Sequence, residues 1–207
     1  MNRLPVYVLG AVGTLAVGVI GLFWIYGSPK NTDVGYRPKQ PVPYSHKLHA
    51  GDLGIDCRYC HTAVEVSAHA TIPPTQTCMN CHKLILTDSP KLLPVRESWA
   101  SNTPIPWVRV HKTPDYCYFN HSAHLRAGVG CATCHGNVAQ MDVVRQVQPL
   151  SMSWCLECHR KPEPYLRASG EVTSMLWRPP SNQTELAGKW RKERNINPPL
   201  DCSGCHR

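Results

Sequence analysis

Five copies of Cys-x-x-Cys-His recur along this 207-residue chain, at Cys57/Cys60/His61, Cys78/Cys81/His82, Cys131/Cys134/His135, Cys155/Cys158/His159 and Cys202/Cys205/His206, and they use ten of its eleven cysteines. Two thiols three residues apart can each form a thioether to a vinyl group of one porphyrin, and the histidine beside the second thiol is placed to bind the iron. The pattern predicts five covalently attached c-type haems. Other uses of paired thiols fit less well. A zinc ribbon also employs Cys-x-x-Cys pairs, but four or five of them are rarely all followed at once by histidine. A thioredoxin-like site needs one pair in a βαβ setting, and none is visible. A disulfide framework gives no reason for identical pentapeptides. Cys117, the eleventh cysteine, reads as a small apolar residue with no assigned role.

An iron held by one histidine has a second axial position, which a low-spin electron carrier fills with His or Met. Six histidines lie outside the motifs: His46, His49, His69, His111, His121 and His124. Tyr44-Ser45-His46-Lys47-Leu48-His49 leads to the motif at Cys57, and Phe119-Asn120-His121-Ser122-Ala123-His124 leads to that at Cys131, with eleven and ten residues from first His to first Cys. This repeat suggests a duplicated two-haem unit, 44–90 and 119–162, followed by a linker and the fifth haem in 163–207. In each His-x-x-His the first His can serve the nearest following haem while the second crosses to another. His69, nine residues before Cys78, is expected at the second haem. At the matching place the second unit has Met141, a candidate ligand of the fourth haem with Met152 as rival; thioether coordination there would raise the potential. His111 competes for whichever iron remains.

The elements that position these ligands must be short. Two Phe, 19 Pro and 14 Gly, with motifs 21 to 53 residues apart, leave little room for long helices or a broad sheet. The expected fold is one N-terminal transmembrane helix plus a small multihaem cytochrome c domain, with short helices and irregular loops wrapped around five haems and little β-sheet. Many helices should start at or near a Cys-x-x-Cys-His. The porphyrins supply much of the apolar interior, so haem removal should unfold the domain.

The helix is the apolar run from Leu4 to Tyr26, long enough to cross a bilayer, for which about 20 residues suffice. Its length and the lack of a clean small-x-small site favour an uncleaved signal anchor, 1–27, joined by a 28–43 linker to the haem domain, 44–207. Tyr7, Trp24 and Tyr26 sit near its ends, where amphipathic rings favour the interface. Haem attachment of this kind takes place outside the bacterial cytoplasm, so the haem domain is expected on the periplasmic (outer) face of the cytoplasmic membrane, single-pass.

The formal charge of +8 is offset by two propionates per haem, which makes nucleic acid a poor partner to infer. Lys189-Trp190-Arg191-Lys192-Glu193-Arg194, after a capped start near Ser181 and Asn182, reads as a solvated helix face.

The stretches YSHKLHAGDLGIDCRYCH, SAHATIPPTQTCMNCH, WVRVHKTPDYCYFNHSAHLRAGVGCATCHG, QMDVVRQVQPLSMSWCLECHRKP and NPPLDCSGCHR resemble the membrane-anchored pentahaem cytochrome c subunit of bacterial alternative complex III. The resemblance covers nearly the whole chain. It implies a subunit of a quinol-oxidising complex whose partners are an iron-sulfur subunit related to molybdopterin oxidoreductases, polytopic quinol-binding subunits and a monohaem cytochrome c. Electrons from menaquinol or ubiquinol would leave through the haems toward a soluble acceptor or a terminal oxidase. On this reading the chain is an electron carrier, not a catalyst. One alternative is a nitrite or hydroxylamine type multihaem enzyme, which needs an iron with an open distal site. Another is a stand-alone membrane-anchored multihaem quinol dehydrogenase.

Overall fold

A computed structural model describes residues 2–206 of the chain. Helix α1 (Leu4–Tyr26) is apolar all round, and none of its residues is buried against the rest of the protein. Asn2 Oδ1 accepts from the Leu4 amide at 3.0 Å, Pro5 lies in the first turn, and the Gly27 amide closes the last turn onto Phe23 O at 2.8 Å. Its 23 residues give about 35 Å at 1.5 Å per residue. That length and composition suit either a membrane anchor or an export signal. One turn, α2 (Pro29–Thr32), follows, with Ser28 capping it.

The segment expected as a linker is laid along the body. The Gly35 amide bonds Gln146 O at 2.8 Å, the Gln146 amide returns to Tyr36 O at 3.0 Å, and the Gln40 side chain pairs with both backbone groups of Val108 at 2.8 and 2.9 Å.

The haem-motif region is built from α3 (Cys57–Cys60), α4 (Thr75–His82), α5 (Leu93–Ser101), α6 (His121–Ala127), α7 (Cys131–His135), α8 (Met152–Arg160) and α9 (Gln183–Glu193), with a π-helical turn at Lys47–Asp52. Among the described residues there is no strand; two isolated antiparallel bridges, Cys117–His206 and Val129–Leu166, are the only β pairing. Helices start at or near the motifs, as expected. α3 and α7 begin on the first cysteine, whereas α4 and α8 begin three residues earlier and carry the motif in their C-terminal turns. The difference lies in the residue before each helix. Asp56 caps the Arg58 amide, fixing the start at Cys57, while Ser151 caps the Trp154 amide and moves that start to Met152. The fifth motif holds only a 3₁₀ turn, Cys202–Gly204, whose Asp201 carboxylate accepts from the Gly204 amide.

The polypeptide's own core is small. Val129, Leu166 and Ala187 are buried together, with Trp190 and Ile196 packed against them. Helix α9 closes this core; Lys189 and Lys192 lie on the solvated face expected of them, while Arg191 and Arg194 are half-buried. Arg194 donates to Ala127 O and Arg167 O at 3.0 and 2.9 Å, and Arg191 pairs with Glu163. Lys189 and Glu193 stay exposed as an i,i+4 pair at 3.7 Å. The helix starts after Asn182, as expected, but without a side-chain cap.

Candidate haem-binding site

The two aromatic-x-His-x-x-His segments place their side chains alike. Tyr44 meets His46 edge-on at 4.9 Å and 89°, and Phe119 meets His121 at 4.7 Å and 88°. Tyr44 lies over His49 at 4.4 Å and Phe119 over His124 at 4.5 Å. In each, the second histidine turns its Nδ1 back to the carbonyl four residues earlier, His49 to Ser45 at 2.9 Å and His124 to Asn120 at 2.7 Å.

That Nδ1 contact recurs. His61 reaches Thr71 O at 2.7 Å, His82 reaches Ile85 O at 3.0 Å, His121 reaches Ala68 O at 2.8 Å, His159 reaches Pro199 O at 2.8 Å and His206 reaches Tyr116 O at 3.1 Å. A carbonyl oxygen can only accept, so in all seven rings Nδ1 carries the proton and the Nε2 lone pair is left for a metal. Burial pushes His46 and His111 down to about 4 and His135 down to about 3. These rings are therefore neutral at neutral pH, the form that coordinates iron. His46 Nδ1 and His111 Nε2 are buried with no hydrogen-bond partner among the described residues.

Three facing pairs of imidazoles follow. His49 and His82 have ring centres 6.2 Å apart, His121 and His135 6.4 Å, and His124 and His159 6.1 Å. A metal–imidazole bond of about 2 Å on each side, plus about 1 Å from each Nε2 to its ring centre, puts trans ligands of one iron about 6 Å apart. The residues present thus fit haem iron. They pair across gaps instead of converging: among the described residues no three His, Cys, Asp or Glu side chains form a metal cage.

The remaining expected ligands are placed as follows. His61 neighbours His46, as does His49. His111 packs against His135 with centres 4.4 Å apart at 76°. His69 is exposed and neighbours His121, while the place opposite His82 expected for it is held by His49. Met141, expected opposite His159, is buried at 5 % exposure beside Gly136, and His124 stands opposite His159. Met152 is exposed at the start of α8. The duplication argument matched Met141 to His69 by position; the rings that face the farther motif are the second His of each His-x-x-His, His49 and His124.

The thiols are grouped in the same way. Cys134 has Cys158 and Cys155 as neighbours, and burial pushes it up to about 12. Cys57 and Cys131, from different motifs, interact directly, so the first thiolate of this pair is favoured at Cys57 and the second is opposed at Cys131. Sequence reasoning missed the groups that hold the motifs. Asp56, with Arg58 against it, bonds Thr173 at 3.1 Å, and buried Arg167 stacks over Trp177 at 4.2 Å while donating to Ser174 O at 3.1 Å. The Asp before Cys57 was a readable capping signal; Arg167 left none.

Repeated thiol pairs, imidazoles whose Nδ1 is engaged and whose Nε2 is left for a metal, and short helices with no sheet among the described residues are the features of a multihaem cytochrome c. Residues 117–207 match the family model described as "Cytochrome c7 and related cytochrome c". The chain is 30% identical to the protein named "Menaquinone reductase, multiheme cytochrome c subunit" from Nitratidesulfovibrio vulgaris Hildenborough, over 59% of this chain and 69% of that protein. The chain belongs to this family of multihaem cytochromes c, electron-transfer proteins with covalently attached haem.

Proposed function

We propose that the chain is the pentahaem electron-transfer subunit of a quinol-oxidising membrane complex of the alternative complex III kind. In this reading it is anchored by α1, holds its haem domain on the periplasmic face, and passes electrons toward a periplasmic acceptor or terminal oxidase. The observation that carries it is the set of facing imidazole pairs, each joining a motif histidine to one outside the motifs. At these three sites two nitrogen ligands on an iron would leave no position for substrate, which suits a carrier that makes and breaks no bonds. Bound haem supplies one-electron chemistry; the protein supplies placement, ligand choice and exclusion of water.

The residues divide that work. Cys57, Cys60, Cys78, Cys81, Cys131, Cys134, Cys155, Cys158, Cys202 and Cys205 would form the thioethers, and His61, His82, His135, His159 and His206 would bind the irons from the motifs. His49, His121 and His124 would complete the second, third and fourth sites, and His46 would complete the first by its position beside His61 and by analogy with His121. At His49, His61, His82, His121, His124, His159 and His206 the carbonyl on Nδ1 fixes the ring's tautomer and orientation and raises its basicity. Partners of the proposed complex are an iron-sulfur, molybdopterin-like subunit, polytopic quinol-binding subunits and a monohaem cytochrome c.

A second reading has one specific support: the relative's name describes a menaquinone reductase. In that case the same array carries electrons toward quinone. The test is the purified holo chain mixed with menaquinol or with menaquinone. Neither should turn over without partner subunits, while a small chemical reductant should reduce every haem. Quinol oxidation by the isolated chain would move the reading to a stand-alone quinol dehydrogenase. Within the intact complex, the steady-state direction separates oxidation from reduction of the quinone pool.

A further inference from the structure

We infer that the five attachment sites lie in space in the order second, first, third, fourth, fifth, so that the row ends at Cys78–His82 on one side and Cys202–His206 on the other. This rests on the five-haem reading above and goes beyond it, because chain order would place the second site between the first and the third.

Each junction has its own contact. The second and first motifs touch through the residues between their cysteines: Asn80 Nδ2 donates to the Tyr59 hydroxyl at 3.1 Å, and Tyr44 lies among Cys57, Cys60 and Cys78. The first and third are fastened to one dipeptide. The Thr173 hydroxyl donates to Asp56, the cap of α3, at 3.1 Å, while the Cys131 amide that opens α7 donates to Val172 O at 2.9 Å. The loop after the first motif also holds the third site's distal ligand, since both the backbone amide and Nδ1 of His121 bond Ala68 O, at 3.1 and 2.8 Å.

The third and fourth sites share α6. His121 and His124, three residues apart and so on one helix face, look toward His135 and His159 respectively. The fourth and fifth sites meet where His159 Nδ1 donates to Pro199 O at 2.8 Å, on the segment leading into Cys202. The Tyr118 amide bonds Cys205 O at 2.8 Å, and Cys117 pairs with His206. The two duplicated units are therefore joined head to head through their first sites. An electron crossing the whole array must pass the junction between α3 and α7, and partner redox centres exchange electrons with the second and fifth sites.

A density map of the full-length holo chain in detergent tests this without any variant. The expected nearest iron neighbours are second–first, first–third, third–fourth and fourth–fifth. A second-site iron closer to the third-site iron than the first-site iron is would overturn the order. In solution, a Met in place of a distal His raises that site's midpoint, and its change of charge state perturbs spatial neighbours. His49→Met should shift one other midpoint in a redox titration, and His121→Met should shift two. Two shifted by His49→Met would also overturn it. Intact-mass measurement on the same sample separates the two claims: fewer than five haems with the remaining irons in this order sinks the five-haem reading and leaves the order standing.

Discussion

The rings of His124 and His159, thirty-five residues apart in sequence, face one another with centres 6.1 Å apart. Nδ1 of the first is tied to Asn120 O and Nδ1 of the second to Pro199 O. Neither Nε2 is taken up by those bonds, and in the proposed reading this pair would bind the iron of the fourth site. His124→Met should keep that haem low-spin and raise its midpoint by on the order of 100 mV, within the ~0.8 V that axial ligands span. A redox titration with EPR of the oxidised form reads it. An unchanged titration would remove His124 from the iron.

Met141→Leu should leave every haem midpoint in place. Met141 is buried, and its backbone carbonyl accepts from the Lys47 amide at 3.0 Å, a bond the substitution keeps. A volume-conserving swap costs less than about 1.5 kcal/mol. Loss of a high-potential step would return Met141 to the role its sequence position suggests.

Asp56 gives one pH-dependent contribution. Hydrogen bonding from Arg58 holds its carboxyl at about 2, below the ordinary 3.8. A depressed carboxyl stabilises the fold fully above the ordinary value and loses that contribution as pH falls toward the lowered one. The side chain is 43% exposed, so solvent screening keeps the effect under about 1 kcal/mol. Asp56→Asn keeps a cap oxygen and removes the charge. Thermal melts of the holo chain should show wild type losing its advantage over this variant between pH 4 and pH 2, a window that follows from about 2 and 3.8.

Gly128 ends α6 with φ of +92°, and a Cβ there would meet Arg167 O and the Arg194 guanidinium. Gly128→Ala should cost about 1–3 kcal/mol, because a left-handed backbone and a backbone contact both oppose it. α6 carries His121 and His124, so weakened haem retention on mild denaturation should accompany the lower melting temperature.

The apolar helix is tested by where the mature protein begins. An anchor predicts that the holo chain stays with membranes through alkaline carbonate and keeps α1. A mature N-terminus beyond Tyr26, on protein released from the membrane, identifies α1 as a cleaved export signal.

The motifs, the apolar helix and the lack of a broad sheet were legible because each is a local property: fixed spacing, a 23-residue apolar run and a high Pro and Gly content. The equivalence of Tyr44–His49 and Phe119–His124 was legible as a repeat. That the second His of each pair crosses to another motif was legible too, but its destination was not, since His49 comes to face His82 and His124 to face His159 only after intervening loops are folded back. Position alone offered His69 and Met141 for those places. The carbonyls of Thr71, Ile85, Ala68 and Pro199 could not be read at all, because any residue supplies one. Helix starts were half legible: the caps Asp56 and Ser151 were in the sequence, yet weighing motif against cap required both to be read together.

The most direct measurement is the alkaline pyridine haemochrome spectrum of the denatured full-length chain, quantified against protein. Thioether haem at every motif gives five per chain, all resistant to acid-acetone extraction. A value clearly below five, or haem that extracts, would contradict it.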